Sequence, residues 1–391
     1  MKMNDRNNIL FLETGTSGKG GSYRSLKEHI QILHSSYHKI VIVLVNDSIY
    51  EEDYRKLGCE VVKLYHPIYS INSKLKIAYR YTFAVSLRIS QMISFGVQYL
   101  FEMNFVRNVE LIIKKYDITH IHLNDQPMRN FAGFIIANRN DVSVISHIRT
   151  LSTYGFTKKL AEYAAKKSRF IAITQAVKAH WVRHAIPADK ISVIYNPVMI
   201  HSSGSVTNDL TEYDLIYVGS FIERKLVSEL IDVVKVLENR LPLKLALVGD
   251  GPLKETLQNQ VNSLKLNTSV SFLGYQSDAV SFIRKSKVLV LPSINEGLGR
   301  VLVEAMKVRV AVVANDDYGM REIIDTKYGQ MGVLYNRSIA GDLADKLYKL
   351  ITDTQLYDEL VGRAYQFSHK EFSQKIYKKR FCEVLDSVEQ V

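Results

Sequence analysis

The stretch "LPSINEGLGRVLVEAM", residues 291–306, ends an apolar strand at Pro292, carries Glu296, Gly297, Leu298 and Gly299 through a short loop, and opens a helix near Arg300. A helix amino terminus presents unpaired backbone N–H groups and the positive end of its dipole, which suits a diphosphate. The glycines let a ligand come close to the backbone. Glu296 and Glu304 are separated by seven residues. At the helical rise this spreads their carboxylates by roughly 10 Å, the span from a sugar across a diphosphate to a ribose.

Outward from this motif, strand-like runs alternate with helix-like runs along the whole chain of 391 residues. "NILFLE", "KIVIVLV", "EVVKLY", "ITHIHLN", "VSVISHI", "RFIAIT" and "ISVIYN" are strands of a first series. "YDLIYVGS", "LKLALVGD", "VSFLGY", "KVLVLPS", "VRVAVVAN" and "QMGVLY" form a second, after the polar, Ser-rich "HSSGSVTND" of residues 201–209. Such alternation implies parallel sheets covered by helices on both faces. The fold class is therefore α/β, with two doubly wound, Rossmann-like domains. Their ligands belong beyond the carboxyl ends of the strands.

A second glycine-rich stretch, "ETGTSGKGGSYRSL" at residues 13–26, imitates a nucleotide-binding P-loop. It fails that pattern: Gly15 stands only three residues before Gly18, and Lys19 is followed by Gly20 instead of Ser or Thr, so the magnesium-binding hydroxyl is missing. Bulk composition excludes other classes. Two cysteines far apart, Cys59 and Cys382, fit a reduced compartment without a disulfide framework. "ILFLET" is too short for a signal-peptide core, and "ISQMISFGVQYLF" at residues 89–101 is too short to span a bilayer. A cytoplasmic protein is expected.

Charge is uneven. Residues 1–200 hold 27 Lys and Arg against 15 Asp and Glu, whereas residues 201–391 hold 24 against 25. A basic first half attracts anionic partners, although scattered lysines also serve solubility alone. No nucleic-acid recognition motif accompanies the charge. The helical stretch of residues 70–116 is rich in aromatics, among them Tyr79, Phe95, Tyr99, Phe101 and Phe105. It reads either as helices packed on the sheet or as an amphipathic surface that touches a membrane or a lipid-linked acceptor. The second reading makes the protein peripheral on the inner face of the cell membrane.

"EGLGRVLVEAM" resembles the signature of retaining glycosyltransferases of family 4, polysaccharide-type enzymes with the GT-B fold, and other segments resemble that family in order. "LALVGDGP" at 245–252 is similar to its turn after the second donor-domain strand, and "VSFLGY" at 270–275 to the next strand. "VIYNPV" at 193–198, "FIAITQAVKAHWV" at 170–182 and "GGSYRSL" at 20–26 are similar to first-domain segments. The resemblance implies a first, acceptor-side domain over residues 1–200, a linker at 201–212, a nucleotide-sugar domain at 213–365, and a C-terminal helix, 366–391, packing back on the first domain.

The same resemblance assigns roles. Gly18, Gly20 and Gly21 are the glycine turn that faces the donor diphosphate and sugar. Glu304 holds ribose hydroxyls, and Glu296 contacts the transferred sugar beside the amides of Gly297, Leu298 and Gly299. Lys225 matches the family's phosphate-binding Lys. The family's Arg position is Ser220, a departure; Arg224 either supplies the missing charge or points to solvent, since a Ser cannot form the bidentate grip of an Arg. His147 lies near donor sugar and acceptor, with Arg149 sharing the task and Asp125 lining the acceptor side. His120 and His122 alternate on one strand and would need a third ligand to hold a metal. No Asp-x-Asp motif is present, and no metal or resident cofactor is expected.

The implied reaction moves a sugar from a nucleoside diphosphate to an acceptor hydroxyl with retention, the acceptor being a glycan or a lipid-linked molecule. Two alternatives remain open at this level. A nucleotide-sugar epimerase of the same fold would bind the same donor. A catalytically silent GT-B scaffold would keep the architecture alone.

Overall fold

In the computed structural model the described residues are 8–14, 21–66, 90–124, 126–152, 157–200 and 211–388. The chain forms two compact units, one of residues 1–197 with 377–391 and the other of residues 198–376.

The first unit is built on a seven-stranded sheet. Its strands are β1 (Asn8–Glu13), β2 (Lys39–Leu44), β3 (Glu60–Lys63), β4 (His120–Asn124), β5 (Ser143–Ile148), β6 (Ser168–Ala172) and β7 (Ile191–Val193). They lie in the order β3-β2-β1-β4-β5-β6-β7, all parallel. The runs read as apolar in sequence are buried because both faces are covered: Leu10, Phe11 and Leu12 of β1 and Val41, Ile42 and Val43 of β2 are fully buried. At the edge, β3 leaves Glu60 and Lys63 exposed. The order reverses between β1 and β4, and a doubly wound sheet opens a crevice at the carboxyl ends of such a pair.

The second unit repeats the plan with β8 (Tyr213–Val218), β9 (Leu245–Val248), β10 (Val270–Gly274), β11 (Ser286–Leu291), β12 (Ala311–Asn315) and β13 (Val333–Tyr335). The order is β10-β9-β8-β11-β12-β13, again parallel, with the reversal between β8 and β11. The turns after β8 and β9 are locked together. Phe221 N–H donates to the Asp250 carbonyl at 2.9 Å and Leu253 N–H to the Phe221 carbonyl at 3.1 Å. A Cβ at Gly249 would sit 1.8 Å from the Gly219 carbonyl oxygen. The "VGDGP" turn needs glycine there so that two backbones can touch.

The C-terminal boundary differs from the sequence expectation. Residue 366 falls inside the helix Thr354–Glu371, which stays with the second unit, and the chain joins the first unit from Tyr377 onward. The last helix, Gln374–Val388, places Tyr377, Phe381, Val384 and Leu385 in the first unit's core beside Phe11, Ile30 and Ile42. Where the chain enters and leaves the second unit, Lys307 Nζ donates to the carbonyls of Val198 at 2.7 Å and Phe372 at 3.1 Å. The linker of residues 201–209 lies outside the described residues.

Candidate active site

The second unit's site sits at the carboxyl ends of β8 and β11. The β8 end runs through Gly219 and an exposed Ser220 into a short turn, Glu223–Lys225. The β11 end runs through Pro292 and Ser293 to Glu296 and the helix Arg300–Lys307. The two turns meet: Ile294 N–H donates to the Arg224 carbonyl at 2.9 Å. Their side chains converge too. Glu296 Oε1 accepts from Arg224 Nη1 at 2.9 Å and from Lys225 Nζ. Lys225 and Glu296 are each 13% exposed, whereas Arg224 is 46% exposed. Burial works to raise the Glu296 carboxyl's pKa, but Lys225 and Arg224 more than offset it, so the group lies below the usual carboxylate range. Lys225 also lies below its usual value, because burial and the neighbouring Arg224 outweigh the attraction of Glu296. Two cations on one carboxylate fix the ionised form of Glu296.

The "EGLG" loop is held from behind. Gly319 N–H donates to the Glu296 carbonyl at 3.3 Å, and Asp317 accepts from Asn295 N–H at 2.6 Å. A Cβ on Gly319 would lie 2.0 Å from the Gly297 carbonyl oxygen. Gly299 adopts φ +67° immediately before the helix, a conformation that favours glycine. Leu298 turns into the core at 4% exposure, so the loop's backbone rather than this side chain faces outward from the fold. Glu304 is buried one turn inside the helix and accepts from Arg300 Nε at 3.0 Å. Ser293 Oγ is buried at the end of β11 without a hydrogen-bond partner among the described residues. Neither Ser293 nor Gly319 stood out in the sequence; the signal for Gly319 was only a lone glycine in "DDYGM".

In the first unit the carboxyl ends of β1, β4 and β5 carry a polar network. Asn124 Nδ2 donates to Glu13, Asn130 Nδ2 donates to the Asn124 carbonyl at 2.6 Å, and Thr14 Oγ1 to Asn130 at 3.2 Å. Arg149 ties it to the chain's crossover region through Asn124 at 2.8 Å and through Asn196. Arg149 Nη2 lies 3.3 Å from His147 Nδ1, which makes Nδ1 the acceptor and puts the imidazole proton on Nε2.

His147 is fully buried. Its ring belongs to a cluster with His122, at 5.4 Å between centroids, and His29, at 6.4 Å. His29 shares a hydrogen bond with the Tyr377 hydroxyl, and Phe381 packs 4.6 Å from the His29 ring. Burial holds all three imidazoles well below their ordinary pKa, with Arg149 adding to the effect. They are neutral. Sequence reasoning missed His29, which sits mid-helix in "KEHIQI" with no motif around it.

His120 and His122 part company despite their shared strand. His120 Nδ1 meets Thr119 Oγ1 at 2.9 Å near the opposite end of the sheet. Among the described residues no group of three or more His, Cys, Asp or Glu is arranged to hold a metal ion. Gly21 opens the first helix, Gly21–Leu33. Gly18, Gly20 and Asp125 lie outside the described residues.

Comparison with known proteins decides the family. Residues 19–201 match the model of Glycosyltransferase Family 4, and residues 202–367 match that of Glycosyl transferases group 1. The chain is a family 4 glycosyltransferase. An uncharacterized glycosyltransferase of Methanocaldococcus jannaschii is 29% identical over 290 residues, 70% of this chain and 77% of the relative. A poly(ribitol-phosphate) alpha-N-acetylglucosaminyltransferase of Staphylococcus aureus is 25% identical over 258 residues, 64% of this chain and 51% of the relative. Among solved structures, the Anabaena protein HepE in complex with UDP superposes with a TM-score of 0.76 at 21% identity, over 97% of this chain and all of that one. The glycosyltransferase thus has the GT-B fold, its two Rossmann-like sheets being those described above. Among its described residues no helix is long and apolar enough to cross a membrane.

Proposed function

We propose that this glycosyltransferase transfers a hexose-type sugar from a nucleoside diphosphate to an acceptor hydroxyl with retention of anomeric configuration, in the synthesis of a cell-surface polysaccharide or glycolipid. The observation that carries the reading is the convergence of Arg224 and Lys225 on Glu296 at the opening of the helix Arg300–Lys307. A guanidinium has five N–H donors and an ammonium three. Each keeps donors for a diphosphate while holding Glu296 ionised for sugar hydroxyls. Arg224 thereby stands in for the arginine that the family carries where this chain has Ser220. Glu304, buried deeper in the helix, takes the ribose. The HepE complex with UDP and the alpha linkage in the Staphylococcus relative's name support a nucleotide donor and retention.

In this reading the bond from the anomeric carbon to the diphosphate oxygen breaks as the acceptor oxygen attaches on the same face of the sugar ring. The electron pair leaves with the diphosphate, and the acceptor's proton passes to a diphosphate oxygen. Lys225, Arg224 and the amides of Gly297, Leu298 and Gly299 meet the charge that develops on the leaving group. Arg149 and Asp125 serve the acceptor, and His147, fully buried as a neutral imidazole, acts through Arg149, whose Nη2 lies 3.3 Å from its Nδ1. Since protein cations neutralise the diphosphate, transfer proceeds without a divalent metal.

The test is calorimetry with UDP and other nucleoside diphosphates, followed by NMR of the product formed from the matching nucleotide sugar. Selective binding, an unchanged anomeric configuration and activity in EDTA are expected. An inverted product would overturn retention, and loss of activity in EDTA restored by magnesium or manganese would overturn metal independence. Turnover of donor without acceptor would favour an epimerase.

A membrane-associated acceptor is favoured by the helix Ser90–Lys115. Its Phe105, Val106 and Val109 are buried, but Leu100 is 73% exposed and Leu111 66%, with Arg107, Lys114 and Lys115 exposed beside them. An apolar and basic outer face suits an anionic bilayer surface at the inner side of the cell membrane.

A further inference from the structure

We propose that the amino-terminal end of the first sheet carries a separate binding site for a phosphate group. A cavity of about 570 Å³ opens there, at the starts of β4, β5, β6 and β7. Lys166, Lys167, Arg169 and Lys190 line it, and Asp141 is the only acid among the lining residues. None of the four cations pairs with a carboxylate of the described residues. Arg169 Nη1 reaches only the backbone carbonyl of Asp189 at 3.5 Å, and Lys166 Nζ lies 5.8 Å from the Tyr163 ring centroid. Some cations of the first unit do find acids, as Lys63 does with Asp47 and Glu51. Four like charges around one concavity repel one another unless an anion occupies it.

A second observation points to a ligand. Ser168, the first residue of β6, is 2% exposed and lines the cavity, and its Oγ has no hydrogen-bond partner among the described residues. A buried hydroxyl without a partner is costly, and a rotation about its Cα–Cβ bond toward the cavity would let a phosphate oxygen satisfy it. Together, a buried hydroxyl donor, one guanidinium and three ammonium groups match a phosphate and leave little for a neutral sugar to recognise.

The site is distinct from the sugar-transfer site. Strand β5 runs from Ser143, at the cavity, to Ile148 beside His147, which puts roughly 15 Å of strand between the two ends. A phosphate-bearing molecule could reach it as a soluble metabolite or as a lipid headgroup, and the chemistry recognised is the same.

The experiment uses the full chain saturated with UDP, so that the nucleotide site is filled. Inorganic phosphate and glycerol phosphate are titrated by calorimetry, and vesicles of phosphatidylglycerol or phosphatidylcholine by flotation. Lys167→Glu with Arg169→Glu should weaken anion binding by at least about tenfold, and Ser168→Ala by roughly three- to tenfold. Both should leave UDP affinity unchanged. Ser168→Ala removes only an unpaired hydroxyl, so it keeps the fold and the test survives if the charge reversals do not. Binding of the free phosphates that responds to these variants supports a soluble ligand. Binding of phosphatidylglycerol vesicles alone, with the same response, supports a headgroup. Binding that ignores all three substitutions, or no binding to any probe, overturns the site.

Discussion

Lys225 and Glu296 form an ion pair in which each side chain is 13% exposed, at the point where the turn after β8 meets the loop after β11. Removing the carboxylate leaves Lys225 buried beside Arg224 with no counter-charge. Glu296→Gln should therefore cost about 3 kcal/mol of stability and lower transfer by roughly 10²-fold or more, read by denaturant unfolding and initial rates. The sign with pH follows from the depressed carboxyl. Its contribution is present above the ordinary value of 4.5 and is lost as pH falls through the lower folded value. A wild-type protein and a Gln variant that lose stability in parallel below pH 4.5 would contradict this.

Glu304 lies 2% exposed with Arg300 Nε 3.0 Å away. Glu304→Gln keeps the shape and removes the charge. Affinity for the free nucleoside diphosphate and the transfer rate should fall together, by about 1–3 kcal/mol. Calorimetry with unchanged affinity would remove Glu304 from the ribose site.

Gly319 is the backstop of the "EGLG" loop. In Gly319→Ala the new methyl group would stand 2.0 Å from the Gly297 carbonyl oxygen, so the loop must move. A loss of about 1–3 kcal/mol and a marked weakening of nucleotide binding are expected. Wild-type nucleotide affinity in a folded Ala variant would show that the loop does not need its present position.

The three neutral histidines of the first unit predict an acid-sensitive fold. Each folded pKa lies well below the ordinary 6.5, so the unfolded chain binds protons that the folded chain refuses. Stability is complete above pH 6.5 and is lost as pH falls. The slope approaches about 4 kcal/mol per pH unit when all three contribute. Urea melts between pH 7 and 5 measure it, and replacing His29 and His122 together by Gln should flatten it. A flat wild-type profile over that range would mean that the imidazoles titrate normally.

Leu100 and Leu111 give the membrane reading a clean test, because both are exposed and neither belongs to the core. Changing both to Ser should reduce flotation with phosphatidylglycerol vesicles several-fold without lowering the melting temperature. Equal, negligible flotation of the wild type with anionic and neutral vesicles at low salt would favour a soluble acceptor.

The strands and the loop–helix junction from Glu296 to Glu304 were legible because local signals carry them. β11 and the loop behind it announce themselves through an apolar run, a proline and paired glycines, and Glu296 and Glu304 through their spacing. The ring cluster was not legible. His29, His122 and Tyr377 are 93 and 255 residues apart along the chain, and only the sheet order and the return of the last helix bring them together. The helix Ser90–Lys115 was ambiguous for a related reason. Its exposed Leu100 and buried Phe105 differ in facing, not in kind. The boundary at residue 366 erred because a helix of eighteen residues, Thr354–Glu371, carries no internal mark of where its allegiance ends.

The return of Tyr377, Phe381, Val384 and Leu385 to the core of the first unit has a bearing on biosynthesis. A ribosome releases these side chains only after the whole second unit has emerged. Until then the ring of His29 faces a gap that Tyr377 and Phe381 will fill. The nascent first unit must wait in an unfinished state through the translation of some 180 residues, at roughly 5–20 residues per second. A stop codon near residue 376 would thus spare every strand of both sheets and still strand the protein in a state that chaperones and proteases recognise.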